Sequence, residues 1–249
     1  MKSLFIQTNS NKIHYLTAGQ GKTLVLLPSL WVTSKSYIRL GIVLSKNFKV
    51  IIPDIYRGAS VFYKNGKNID DYVDSFAQFT KALSLNEFYL IGISFSGLLA
   101  TMYALQHSNL INKLFLVSTA TVPILIKNKK FILIYGYAKL LYHNMFSIDG
   151  IKTNLLWFRD SLKNLIMHPA QVIYEGLVAT SNYDNKIIDM NVSTKLLFAK
   201  KDEFIPAETL DRMKRIKNLE IEEVDHYHAW FFGHEDHLAK RIVDFFKVL

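Results

Sequence analysis

Short apolar runs, each closed by turn-forming residues, recur along the chain and alternate with stretches of helical periodicity. Leu4–Thr8 and Lys12–Thr17, joined by Asn9-Ser10-Asn11, predict an opening antiparallel hairpin. Thr23–Leu27 and Lys49–Pro53 are continuous enough to be strands buried on both faces, with a helix over Ser34–Ser45 between them. A helix near Ile69–Leu83 precedes the strand Glu87–Ile93, and a helical run from Leu98 leads to a strand at Lys113–Ser118. Thr194–Ala199 and Leu219–Val224 are the last two strands, with a helix near Glu208–Ile216 between them and another over His234–Lys247. Strand and helix in alternation define an α/β protein with a mostly parallel, twisted sheet and flanking helices.

Residues 121–193 break this rhythm. They show no strand alternation, are punctuated by Pro123 and Pro169, and are rich in aromatics, including Phe131, Tyr135, Tyr137, Tyr142, Phe146, Trp157, Phe158 and Tyr174. A segment this long is not expected to be a structureless loop in a compact domain. It reads as a helical cap inserted into a core made of residues 1–120 and 194–249.

Composition narrows the classes. A chain of 249 residues, half hydrophobic and one fifth charged, can bury one substantial core plus an insertion. With no cysteine, neither disulfides nor thiolate chemistry is available, which fits a cytoplasmic location. The N-terminal ten residues lack a signal-type apolar stretch, and no apolar run reaches the length of a membrane span. The net charge of +9 comes from lysines scattered over the first 193 residues, not from a basic block of the kind that binds nucleic acid. The densest basic cluster is Lys127, Lys129 and Lys130 in the cap.

The candidate chemistry starts at Gly92-Ile93-Ser94-Phe95-Ser96-Gly97. A serine between a buried strand and a helix, with small residues two positions to either side, is a nucleophile elbow. The turn is too tight for large side chains there, and it lifts the hydroxyl above the sheet edge beside the opening amides of the next helix. A serine hydroxyl needs a base to take its proton, and the base needs a carboxylate to orient it. Asp202 follows the strand Thr194–Ala199, with Glu203 its neighbouring competitor. His226 and His228 follow Leu219–Val224, and the distance to the terminal helix favours His228. Ser94, Asp202, His228 is the chain order that accompanies an elbow. The His-x-His and His-x-x-His spacings of His226, His228, His234 and His237 suggest a metal site, but no cysteine accompanies them and HExxH is absent; Gly21-Lys22-Thr23 lacks the upstream glycine of a phosphate-binding loop. No cofactor or metal is expected.

With the elbow, the Asp54–Ser60 loop, the acid segment Asp202–Pro206 and the His228–Phe246 closing segment, the chain resembles the α/β-hydrolase superfamily, in a serine esterase or thioesterase-like branch with a helical cap. The resemblance implies amide donors at Leu30 and Phe95 for the oxyanion of an acyl-transfer intermediate. It departs where the family usually has His-Gly: this chain has Pro28-Ser29-Leu30-Trp31, and a proline there also occurs in thioesterase-like and carrier-protein-esterase branches. Trp31, Tyr135 and Trp157 are the candidate substrate contacts. The expected partner is a small ester or thioester, or an acyl ester on an acidic acyl carrier protein steered by the basic cap, as in pimeloyl-carrier methyl ester cleavage. The altered loop also admits a different class, a binding or sensor protein that turns over little.

Overall fold

The computed structural model describes residues 1–56, 58–62, 66, 68–122, 129–170, 172, 175 and 190–247. Nine strands form one sheet: β1 (Lys2–Gln7), β2 (Asn11–Ala18), β3 (Thr23–Leu27), β4 (Lys49–Pro53), β5 (Val61–Phe62), β6 (Phe88–Ile93), β7 (Ile111–Val117), β8 (Thr194–Ala199) and β9 (Leu219–Val224). Their order is β1-β2-β4-β3-β6-β7-β8-β9, with the short β5 paired to β2. From β4 through β9 every neighbouring pair on this path is parallel, whereas β2 pairs antiparallel with β1, β4 and β5. The fold class is the one the periodicity predicts.

The unbroken apolar runs are explained by burial of both faces. Along β3, Val25 and Leu27 point to one side and Leu24 and Leu26 to the other. Leu114 and Leu116 alternate in the same way with Phe115 and Val117 on β7. On the first side lie α2 (Ile69–Ala82) and α3 (Phe95–Gln106), which contribute Phe76, Phe79, Leu99 and Tyr103. On the second lie α1 (Ile38–Leu44) and the terminal helix, which contribute Leu40, Leu44, Leu238 and Ile242.

Local chemistry sets several element ends. Asn68 and Asp71 form a reciprocal capping box that starts α2. The helix expected over Ser34–Ser45 opens as a 3₁₀ turn at Ser34–Tyr37 before α1 begins. The two-residue β5 lies in a segment read from the sequence as loop. Between β7 and β8 the described residues form α4 (Lys129–Asn144) and α5 (Ile148–Met167), and Ser147 caps α5 through its side chain. The helix after β8, α6 (Glu208–Met213), stops short of the expected Ile216, and the last helix, α7, spans Glu235–Lys247. Pro123, Lys127 and Tyr174 lie outside the described residues, as do the side chains of Lys129, Lys130 and Phe131.

Adjacency of β3 and β6 matters most for the site. Leu27 pairs with Gly92, so the loop after β3 and the turn after β6 leave the sheet side by side. Here the chain winds in opposite directions to either side, which is where open parallel sheets form crevices.

A buried polar network supports this end of the sheet. Asp54, just past β4, accepts hydrogen bonds from the amides of Ser34 at 2.6 Å and Ala59 at 2.9 Å, and from His14 Nδ1 at 2.8 Å. A Cβ at Gly58, where φ is +52°, would strike the Asp54 carboxyl. His14 Nε2 in turn accepts from Ser3 Oγ at 2.8 Å. Ser3, His14 and Asp54 therefore repeat a Ser-His-Asp relay, but Ser3 sits on the flat edge strand β1 and not on an elbow. Burial works to raise the Asp54 pKa, yet the hydrogen bonds from His14, Ala59 and Ser34 outweigh it and hold the group below its ordinary value. Its ionised form therefore stabilises the fold above the unfolded-state value of about 4, and that contribution is lost as pH falls through the lower folded-state value. Asp54→Ala leaves the His14 Nδ1–H and the Ser34 and Ala59 amides without their acceptor, so urea unfolding should show it less stable by at least about 2 kcal/mol at neutral pH. Its stability should also fall less steeply than wild type on acidification.

Candidate active site

Ser94 is the turning point between β6 and α3. Its backbone sits at φ 54° and ψ −128°, a conformation costly for a residue with a side chain. It is held because no slack surrounds it. A Cβ at Gly92 would lie 2.6 Å from Gly97 Cα and 2.7 Å from the Ser96 carbonyl oxygen. One at Gly97 would strike Thr119 at 2.4 Å. The Ser94 amide donates to the Val117 carbonyl at 2.9 Å, and the Gly97 amide to the Ser94 carbonyl at 2.8 Å.

Three strand ends converge on the Ser94 hydroxyl. His228, after β9, places Nε2 2.8 Å from Ser94 Oγ and Nδ1 2.8 Å from Asp202 Oδ2. A carboxylate only accepts, so Nδ1 carries the proton and Nε2 of the neutral ring accepts from Ser94. Asp202 Oδ1 accepts from the amides of Phe204 at 2.8 Å and Ile205 at 2.9 Å, fixing the carboxylate in a tight turn after β8. Glu203 has a separate place: Oε2 accepts the His228 amide at 2.9 Å, and Oε1 pairs with His143 Nδ1 of α4 at 2.8 Å. His226 is exposed and stacks on Trp230, and Asp225 pairs with Lys201 at the surface. Of the two histidines, it is His228 that reaches Ser94.

Burial acts to lower the His228 pKa, but the Asp202 charge and hydrogen bond, with the Glu203 charge, outweigh it, so the value is raised. The neutral, proton-accepting ring is thus withheld until pH passes a point above the ordinary histidine value.

The loop after β3 is built by contacts that no local sequence pattern announces. Ser96 Oγ hydrogen-bonds the Pro28 carbonyl and lies 3.2 Å from the Tyr56 hydroxyl, so the residue replacing the commoner glycine ties elbow to loop. The Ser29 amide donates to the Tyr37 hydroxyl at 3.1 Å, and that hydroxyl donates to Ser29 Oγ at 3.0 Å. Burial pushes the Tyr37 pKa up to about 12, so it stays a neutral donor. Glycine's freedom is not required at position 29; the left-handed conformation falls instead on Trp31, at φ 63°. The Leu30 and Phe95 amides have no acceptor among the described residues. Phe95 opens α3, where amides lack intrahelical partners.

Helix α5 grips the same loop. Asp160 of α5, buried, accepts at Oδ2 from the Thr33 amide (3.0 Å), Thr33 Oγ1 (2.9 Å) and Ser36 Oγ (3.0 Å). Asn164 Nδ2 donates to the Trp31 carbonyl at 3.1 Å. Tyr137 of α4 stacks on Trp31 at 5.7 Å and meets Trp157 and Phe204 edge-on. Phe204 packs edge-on against the His228 ring at 4.7 Å, so an aromatic wall runs from α4 to His228. Trp31 and Trp157 join this wall, each with a buried indole N–H lacking an acceptor among the described residues. Tyr135 does not join it. It is 60% exposed on α4 with Lys139 Nζ 4.7 Å over its ring, because its neighbours Gly136 and Tyr137 take the inward positions. Sequence reasoning passed over Tyr137 as a site residue and missed Asp160 and Asn164. The only advance signal was a buriable polar set spaced three and four apart on one amphipathic helix.

Residues 22–146, half the chain, match the family model described as alpha/beta hydrolase fold. The chain belongs to that family. A 116-residue stretch is 30% identical to a probable 1-acylglycerol-3-phosphate O-acyltransferase of Oryza sativa subsp. japonica; the match spans 44% of this chain and only 28% of that relative. Similar solved structures include a meta-cleavage product hydrolase from Pseudomonas fluorescens IP01 (TM-score 0.78, 20% identity, 99% of this chain and 97% of that one). A putative lipase from Acinetobacter baumannii AYE is also similar (0.77, 21%, 98% and 90%). So is an esterase from Exiguobacterium antarcticum (0.78, 19%, 98% and 99%). At these identities the structures share the fold.

Two outcomes follow from the site. Glu203→Gln removes a charge that favours the imidazolium but keeps an acceptor for the His228 amide, so the acid limb of the kcat/KM profile should move to lower pH. Asp160→Ala should lower kcat about 10–100-fold with little change in KM, since it displaces the loop after β3 and not the nucleophile. Steady-state kinetics on a soluble ester reads both.

Proposed function

We propose that this protein is a serine hydrolase that cleaves a carboxylic ester or thioester through an acyl-enzyme. The observation that carries the reading is the continuous chain Ser94 Oγ, His228 Nε2, His228 Nδ1 and Asp202 Oδ2, with both links at 2.8 Å, built on a strained strand-to-helix turn.

The chemistry follows from that geometry. Ser94 Oγ attacks the acyl carbon as its proton passes to His228 Nε2, and the carbonyl π electrons move onto oxygen. The Leu30 and Phe95 amides then serve as donors to that oxyanion. As the carbonyl reforms, the bond to the alcohol or thiol breaks and His228 returns the proton to the leaving group. Water, deprotonated by the same ring, attacks the acyl-enzyme and releases the acid and free Ser94. Asp202 holds the ring in the tautomer that lets Nε2 accept. The aromatic wall of Trp31, Tyr137 and Phe204 suits an apolar acyl or aryl group beside the base.

The family supports hydrolysis, and the names of the lipase and esterase among the similar structures point the same way. An acyl carrier partner remains a narrower form of the proposal. Its docking residues, Lys127, Lys129 and Lys130, have side chains outside the described set.

A fluorophosphonate should label one site, Ser94. Ser94→Ala should abolish labelling and reduce ester turnover by as much as ~10⁶. Retention of wild-type turnover by the alanine variant would refute the mechanism. Single-turnover acylation with no further cycles would assign the fold to binding instead of catalysis.

A further inference from the structure

Helix α5 is amphipathic in the inverted sense. Its buried positions are Gly150, Thr153, Trp157, Asp160 and Asn164, a mostly small and polar stripe spaced three and four apart. Its exposed apolar positions include Ile148, Ile151, Leu155, Phe158, Leu162 and Leu165, a stripe with the same spacing. Ile148 is 74% exposed, Leu155 63% and Phe158 64%. A helix that only packed on the core would bury the second stripe and wet the first. This one cannot turn over, because Asp160 and Asn164 must face inward to hold Thr33, Ser36 and Trp31. Met145 and Phe146 extend the exposed apolar surface to the turn between α4 and α5.

The charges beside the stripe select an occupant. From residue 135 to 170, the exposed charged side chains are Lys139, Lys152, Arg159 and Lys163 against one acid, Asp149, which lies 3.7 Å from Lys152 Nζ; the Arg159 guanidinium is bound to the buried Asp160 Oδ1 at 2.7 and 2.8 Å. Taking Ile148 and Ile151 as the seam of a heptad, the flanking positions hold Lys152 and Arg159 on one side and Asn154 and Ser161 on the other. Two copies packed along this seam would set cations against cations or neutral groups, with no acidic complement. An anionic surface complements them. No helix among the described residues is long and apolar enough to cross a membrane, so the fitting geometry is a helix lying in the interface plane.

We propose that the apolar face of α5, with the Met145–Phe146 turn, docks on an anionic lipid surface. The stripe enters the boundary between headgroups and acyl chains while Lys152 and Lys163 meet the headgroup charge. The helix that docks also carries the Asp160 clamp on the loop after β3, so the docked face lies one helix away from Ser94's neighbouring loop. This binding does not depend on the hydrolytic reading and is measurable without turnover.

The test is flotation of the purified protein with vesicles of phosphatidylcholine alone or mixed with phosphatidylglycerol. The wild type should bind the mixed vesicles at least about tenfold more tightly than the neutral ones, and that preference should shrink with added salt. A variant combining Leu155→Ser, Phe158→Ser and Leu162→Ser should keep a cooperative thermal transition but lose binding to both vesicles. Lys152→Glu with Lys163→Glu should lose only the anionic preference. Failure of the wild type to bind mixed vesicles overturns the proposal, as does undiminished binding by the serine variant. A wild-type dimer in sedimentation equilibrium that the serine variant dissolves, without vesicle binding, would assign the stripe to self-association and also overturn it.

Discussion

Everything at the site depends on a backbone conformation that Ser94 would not adopt alone. The chain must reverse from strand to helix within one residue, and that residue must carry a side chain, so it sits at φ 54°. The surroundings hold it by crowding: Gly92 and Gly97 have no room for a Cβ, and Thr119 from the neighbouring strand end closes the space behind them. The parallel sheet makes this possible. Strands that all run one way release their C-terminal loops at one edge, so serine, carboxylate and imidazole arrive from β6, β8 and β9 without any one loop having to span the site.

Much of this arrangement was legible in the linear chain. Ser94, Asp202 and His228 each follow directly from a short apolar run, and a reader who finds the runs finds the residues. Thr23–Leu27, Lys49–Pro53 and Thr194–Ala199 have the bounds expected of them because buried parallel strands leave little room for ambiguity; the edge strand Leu219–Val224, of which only Val224 is buried, also has its expected bounds. What could not be read were interactions between distant segments. Asp160 and Thr33 are 127 positions apart, and nothing local to either marks the pair. Ser96 read only as a small residue that the turn requires, whereas its hydroxyl reaches a carbonyl 68 residues away. Tyr135 and Tyr137 were equivalent as aromatic letters; only the phase of α4 separates the exposed ring from the one against Phe204.

Polar networks as well as apolar packing connect the layers. Asp54 ties β4 to Ser34 and to the Gly58 turn, Tyr37 braces Ser29, and Glu203 joins the backbone of His228 to His143 in the cap. Each uses a buried acceptor or donor whose loss leaves an unpaired group in a dry interior, so these links fail abruptly and not by degrees.

The Asp160 clamp bears on how such a protein can diversify. Caps are often regarded as exchangeable modules, replaced to change what a conserved core acts upon. Here one carboxylate of the insertion supplies the acceptor for two hydroxyls and an amide of the core. A foreign cap grafted at the same junctions would bring its own lining but orphan Thr33 and Ser36. Helix α5 and the loop after β3 must therefore change together: with Asp160 in place the outward face of α5 can vary, and without it the loop must be rebuilt.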